Sequence, residues 1–357
     1  MQYRYSHKGF QTVELLKKAK FKLFRNTKNK FFLDKPNQKF SKLINLRNNN
    51  EDNIFPSYNY DPQLHDPNGY YWFTNPINSK IIFCKERSGL IEYDTNKFGF
   101  RSINKVNQKN PFKYIFIGDS ITEGACVKDE STIPQYFSKL RKENTINAGK
   151  SHTGPLFQLA LLTELLKYNQ DVEKILSNDS TFVWILFAGN DLYNLVEEKT
   201  TLLSNYLNDG YSQNYFQNIA YISKSQKLFL NEFIDLIENY SLRSFNRFGY
   251  GETVKYEWMA KRNQKIFKEV MKIFSERVEN AGSNLKVVII THHDQPVDSV
   301  MKVTEKFIDE NCKDLEIDCT KIEVPSKKLN IERKEMINYH FSEKGYETLA
   351  EIISESF

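Results

Sequence analysis

The sequence predicts an α/β chain: a doubly wound parallel sheet of about five strands flanked by helices, after an N-terminal extension with a small β element. Three observations carry this prediction. Apolar runs such as Tyr114-Ile115-Phe116-Ile117 and Phe182-Val183-Trp184-Ile185-Leu186-Phe187 are continuous rather than alternating, as in strands buried on both faces. Helix-like segments separate these runs in regular alternation. Gly, Asn and Asp cluster where the runs stop, at the carboxyl edge where open α/β sheets bind their ligands.

Residues 1–108 read as the extension. Val13, Leu15, Leu16, Ala19, Leu23 and Phe24 interleave with Lys17, Lys18, Lys20, Lys22 and Arg25. Such an amphipathic helix either packs its apolar stripe on the protein or rests on an anionic membrane surface. Residues 26–70 are dense in Asn, Asp and Pro and read as irregular connection. Short apolar runs follow, and Glu86-Arg87-Ser88-Gly89 between two of them marks a hairpin.

From 112 to 357 strands are expected at 113–118, 144–147, 181–187, 286–290 and 314–319. Helices are expected at 131–142, 156–168, 258–280, 299–311 and 343–355, the last with Ser342 as N-cap. The stretch at about 192–280 is too long for a plain crossover and reads as a helical insertion. Its aromatic residues, Tyr206, Tyr215, Phe216 and Tyr221 among them, suit a lid, a sugar-stacking surface, or a subdomain with its own core.

Composition narrows the function classes. Residues 1–50 hold thirteen Lys/Arg against two Asp/Glu, so with a net charge of +5 the remainder is acidic. An acidic main body without a recognised motif argues against nucleic acid as a partner and leaves membrane-surface contact through residues 1–50 as the alternative to packing on the protein. No apolar run reaches the length of a membrane span, and the start lacks a secretory signal. The expectation is a cytoplasmic protein with Cys84, Cys126, Cys312 and Cys319 reduced. No metal or other cofactor is expected. The Cys312/Cys319 spacing fits no zinc pattern, and adjacent residues in His292-His293-Asp294 point to opposite faces of a strand. One of those histidines, taken as His293, is a weak candidate for substrate contact.

Four blocks carry the chemistry. They are Gly118-Asp119-Ser120 after the first long strand, Asn147-Ala148-Gly149 after the second, Gly189-Asn190-Asp191 after the third, and His340 just before the final helix. A serine hydroxyl needs a base to become a nucleophile, and the late histidine supplies a candidate. In this order the blocks resemble the SGNH (GDSL) hydrolase superfamily over residues 112–357. Upstream, Asn96-Lys97-Phe98-Gly99-Phe100-Arg101 resembles the lead-in of a bacterial branch linked to cell-envelope or polysaccharide metabolism.

The resemblance implies a flavodoxin-like strand order and a set of roles. Ser120 is the implied nucleophile and His340 the acid–base. The backbone N–H groups of Ser120 and Gly149 and the Asn190 amide are the implied oxyanion donors. Asp119 supports the nucleophile turn in the family and is here also a weak candidate for substrate contact. One position departs from the pattern: where the family has an aspartate, two or three residues before the histidine, this chain has Asn338 and Ile337. An amide can fix the imidazole tautomer but brings no charge, so Asn338 is the local candidate for third member. The expected activity is hydrolysis of O-acyl, chiefly O-acetyl, esters through an acyl-enzyme, on a small-molecule or glycan substrate. The alternatives are an O-acyltransferase acting on a sugar hydroxyl and a carbohydrate-binding relative without turnover.

Overall fold

A computed structural model describes residues 53–56, 69–86, 89–103, 111–199, 201–239, 256–292, 300–324 and 340–357. The basic segment 1–50 lies outside them. Strands β1 (Ile54–Pro56), β2 (Lys80–Glu86) and β3 (Gly89–Asp94) form a small sheet. Strands β2 and β3 pair antiparallel across the predicted turn.

The main sheet holds β4 (Phe112–Gly118), β5 (Thr145–Gly149), β6 (Leu176–Phe187), β7 (Asn284–His292) and β8 (Cys319–Val324) in the order β5-β4-β6-β7-β8. Every adjacent pair is parallel. The fold is therefore the predicted doubly wound α/β type with flavodoxin-like order. The chain reverses direction across the sheet between β4 and β6, which opens the ligand crevice at their carboxyl ends.

Burial on both faces follows from the continuous apolar runs. Along β4, Ile115 and Ile117 enter one core while Tyr114 and Phe116 enter the other. Helices α3 (Pro155–Asp171) and α6 (Tyr256–Asn280) cover the first face, and α2 (Ile133–Arg141) and α8 (Glu343–Glu355) the second. The Trp184 ring stacks on Phe274 of α6 at 4.0 Å, and its indole N–H donates to Gln158 of α3.

Three expectations change. The last strand begins at Cys319 rather than 314, because α7 (Val300–Asp314) runs on and a turn follows it. Strand β8 leaves one face open, and only its alternate residues Ile322 and Val324 are buried. It therefore lacks the continuous run that marked β4, β6 and β7. The insertion also ends earlier than expected, since α6 is the crossover helix lying on the sheet. Between α4 (Asp191–Glu198) and α6, with α5 (Ile219–Asn239) alongside, several of the aromatic residues build a core. Tyr206, Tyr215 and Phe216 are buried and meet Phe73, Phe98 and Phe100 edge-on or tilted. The N-terminal element and the insertion thus share one aromatic core with α3, an arrangement in which each such pair adds about 0.5–1.5 kcal/mol beyond burial.

The cysteines are the third change. Cys312 and Cys319 form a disulfide with Cα atoms 6.1 Å apart, since the turn from α7 into β8 brings them within bridging range. Cys126 is disulfide-bonded as well. The expectation of reduced thiols is corrected, and it no longer supports a cytoplasmic setting. Among the described residues no helix is long and apolar enough to cross a membrane.

Candidate active site

Strand β4 ends in a turn with no room for a side chain at its last residue. A Cβ on Gly118 would stand 2.2 Å from Thr122 Oγ1 and 2.7 Å from the Ile185 carbonyl. The one-turn helix α1 (Ser120–Glu123) starts immediately, with Asp119 as N-cap accepting from the Ile121 N–H at 2.9 Å. Gly124 closes the turn at φ 82°, its N–H bonded to the Ser120 and Ile121 carbonyls. Ser120 is left at the head of the crevice, 8% exposed.

His340 arrives from the far end of the chain, placed two residues ahead of Ser342, which caps α8 as predicted. Its Nε2 lies 3.1 Å from Ser120 Oγ across a sequence separation of 220 residues. Its Nδ1 faces Cys126 Sγ at 3.8 Å. Asn338 and His293 lie outside the described residues.

Gly149 sits beside α1. A Cβ there would stand 2.2 Å from the Glu123 nitrogen and 2.6 Å from the Thr122 carbonyl carbon. Its N–H already donates to Asn147 Oδ1 at 3.1 Å. This glycine lets helix α1 pack against β5, and its N–H can reach an oxyanion only as a shared donor.

Asn190 occupies the N-cap position of α4 without capping it, and its Oδ1 is buried and unpartnered. Beneath it lie two buried carboxylates. Burial raises Asp119, against the Ile121 N–H, the Asn190 amide and the His340 charge, which all lower it. Its Oδ2 makes no hydrogen bond of ordinary geometry. Burial, and then the charge of Asp119, push Asp191 well above the usual carboxylate range. Asp191 accepts from the Phe187 N–H at 2.6 Å and ties the end of β6. Asp119, the weak candidate for substrate contact, is wholly buried.

Behind this layer is a polar network that sequence reasoning missed, although one of its members stood in a quoted motif. Asn96 Oδ1 accepts from the N–H groups of Phe98 and Phe100, forming a tight loop that presents Arg101. Arg101 is 2% exposed. Its Nε pairs with Asp129 at 2.7 Å, Nη1 donates to the Glu123 and Gly124 carbonyls, and Nη2 donates to the Val127 carbonyl. Glu123 accepts from the Tyr93 hydroxyl and from the N–H and hydroxyl of Ser151. Lys150 donates to Asn75 Oδ1 at 2.6 Å.

Burial lowers Lys150 to about 8. Its folded pKa lies below that of the unfolded chain, so the unfolded state binds the extra proton between about 8 and 10.5. Stability should therefore rise with pH across that window and be lost again as pH falls through 8. Urea unfolding at pH 7.5 and pH 10 should show a rise of up to about 3 kcal/mol in the wild type relative to Lys150→Met. Equal pH responses in the two proteins would remove Lys150 as the cause.

Among the described residues no group of His, Cys, Asp and Glu is arranged to hold a metal. No family model matches the chain, and no curated protein matches it. One similar solved structure is described as a lipolytic protein of the G-D-S-L family from Desulfitobacterium hafniense DCB-2. It is 12% identical, with a TM-score of 0.36, and the match covers 68% of this chain and 98% of that one. Likeness at that level carries no argument about chemistry.

Proposed function

We propose that this chain is a serine ester hydrolase of the SGNH (GDSL) type, cleaving O-acyl esters through an acyl-enzyme. The observation that carries the reading is the 3.1 Å approach of His340 Nε2 to Ser120 Oγ at the switch point of the sheet. Two residues so far apart in sequence meet where such a fold binds its ligands. Nucleophile and base within hydrogen-bond reach is the signature of an activated serine.

The chemistry follows from that geometry. Ser120 Oγ attacks the ester carbonyl carbon and gives its proton to His340 Nε2. The oxyanion is held by the Ser120 N–H and the Asn190 amide, with the Gly149 N–H shared. The C–O bond to the alcohol then breaks as His340 returns the proton to the leaving oxygen. Water, deprotonated by the same imidazole, attacks the acyl-Ser120 carbonyl carbon, and the bond to Ser120 Oγ breaks as His340 returns the proton to that oxygen, releasing the carboxylic acid. The chemistry suits an acylated small molecule or glycan, with O-acetyl as the first group to test.

Hydrolysis of p-nitrophenyl acetate by wild type, Ser120→Ala and His340→Ala tests the assignment. Equal rates in all three would sink it. Asn190→Ala should lower kcat by about 10²–10³-fold, roughly 3 kcal/mol, with a smaller change in KM. An unchanged kcat would remove Asn190 from the oxyanion site.

A further inference from the structure

Helix α1 carries the nucleophile on a single turn. One turn of helix is unstable by itself, because it fixes several dihedrals for one hydrogen bond. Its geometry is therefore imposed from outside. Resting on the serine-hydrolase reading above, we infer that Glu123, the last residue of α1, is a positioning residue for Ser120. Its carboxylate ties the nucleophile turn to the loop after β5, and so sets the spacing of the Ser120 and Gly149 N–H groups.

The carboxylate is buried, with Glu123 1% exposed, and it reaches two other parts of the chain. Its Oε2 accepts from the Ser151 N–H at 2.6 Å and from the Ser151 hydroxyl. Ser151 stands two residues beyond Gly149, and the Lys150 N–H between them donates to the Gly118 carbonyl at 3.0 Å. Its Oε1 accepts from the Tyr93 hydroxyl at 2.5 Å, and that hydroxyl accepts from the Asn75 amide at 2.7 Å. Tyr93 lies on β3, so a strand outside the main sheet shares in holding the nucleophile. A carboxylate suits the task because two oxygens accept three donors from two directions at once.

The backbone of Glu123 is held as firmly. Arg101 Nη1 donates to its carbonyl at 3.1 Å and to that of Gly124 at 2.7 Å, filling acceptors that a helix end leaves open. The same guanidinium lies over the Tyr93 ring at 4.6 Å. The Glu123 N–H donates to the Asp119 carbonyl, so a shift of Glu123 is passed to the residue that precedes Ser120.

Fluorophosphonate labelling separates position from folding, because its endpoint counts competent sites while kcat per labelled site reports how each is set. Tyr93→Phe and Ser151→Ala each remove one hydroxyl and no charge. Both should label at Ser120 as completely as wild type. Their kcat per labelled site for p-nitrophenyl acetate should fall about 5–10-fold, the scale of one hydrogen bond, with KM within about two-fold. Glu123→Leu should fall about 10²-fold per labelled site, as for a misplacement of about 1 Å. That variant loses three buried hydrogen bonds, so the two hydroxyl variants decide the matter. The acid limb of kcat/KM should stay in place in both.

A smaller labelled fraction with unchanged kcat per labelled site would overturn the proposal and leave Glu123 a structural brace. So would full labelling with unchanged kcat. An acid limb that moves with the loss of kcat would also overturn it, because the effect would then lie in the ionisation of His340. Failure of the serine-hydrolase reading looks different: Ser120 of the wild type stays unlabelled and hydrolysis survives Ser120→Ala, and both readings fall together.

Discussion

Replacing Ser120 with alanine is expected to lower kcat for p-nitrophenyl acetate by on the order of 10³-fold or more, leaving binding and stability close to wild type. The reasoning is local. Ser120 is the first residue of a one-turn helix whose cap is Asp119 and whose closure is Gly124. Alanine suits a helix at least as well as serine. What disappears is the atom that His340 Nε2 faces at 3.1 Å. A fluorophosphonate probe should label wild type at Ser120 and leave the variant unlabelled. Labelling elsewhere in both proteins, with turnover retained, would place the nucleophile at another residue.

The second large effect concerns Arg101. Arg101→Ala should cost about 3–5 kcal/mol of unfolding free energy, the usual result of removing one partner of a buried charge pair. Asp129 would lose its guanidinium, and the carbonyls of Glu123, Gly124 and Val127 would lose their donor. Arg101→Lys should recover only part of this, because a single ammonium cannot span the carboxylate and three carbonyls. Urea denaturation of the three proteins measures both steps. A loss below about 1 kcal/mol in the alanine variant would show that water replaces the guanidinium at little cost.

The arginine shows where sequence reasoning reached and where it stopped. The sheet was legible because β4, β6 and β7 are buried on both faces and so read as continuous apolar runs. Edge strand β8 was misplaced because only Ile322 and Val324 face the core. Ser120, Asn190 and His340 were legible because each stands at a strand end or helix start, where polar residues are conspicuous. The positions beneath them were not, since Glu123, Lys150 and Cys126 look like turn or surface residues until the chain is folded. Gly149 was legible at a strand end, but not that its missing side chain makes room for the backbone of α1. Arg101 lay inside a quoted motif, but nothing in one dimension says that its fork closes on a loop more than twenty residues downstream.

The separation of 220 residues between Ser120 and His340 has a consequence for the making of this protein. The nucleophile turn, the Asn190 amide and the Arg101 clamp are all synthesised well before His340. The base emerges just ahead of α8, and it takes its place only when α8 docks on α2 and Tyr346 reaches the Ala125 carbonyl. A nascent chain can therefore complete most of its sheet while remaining chemically silent. Closing so long a loop is among the slow events of folding. In the mature protein the same order runs backwards. Undocking of the terminal helix, a sub-global opening that leaves β4 to β7 paired, is enough to part base from nucleophile. Under the proposed function, turnover of p-nitrophenyl acetate should then be lost in mild denaturant ahead of the sheet, and its return should time the docking of α8.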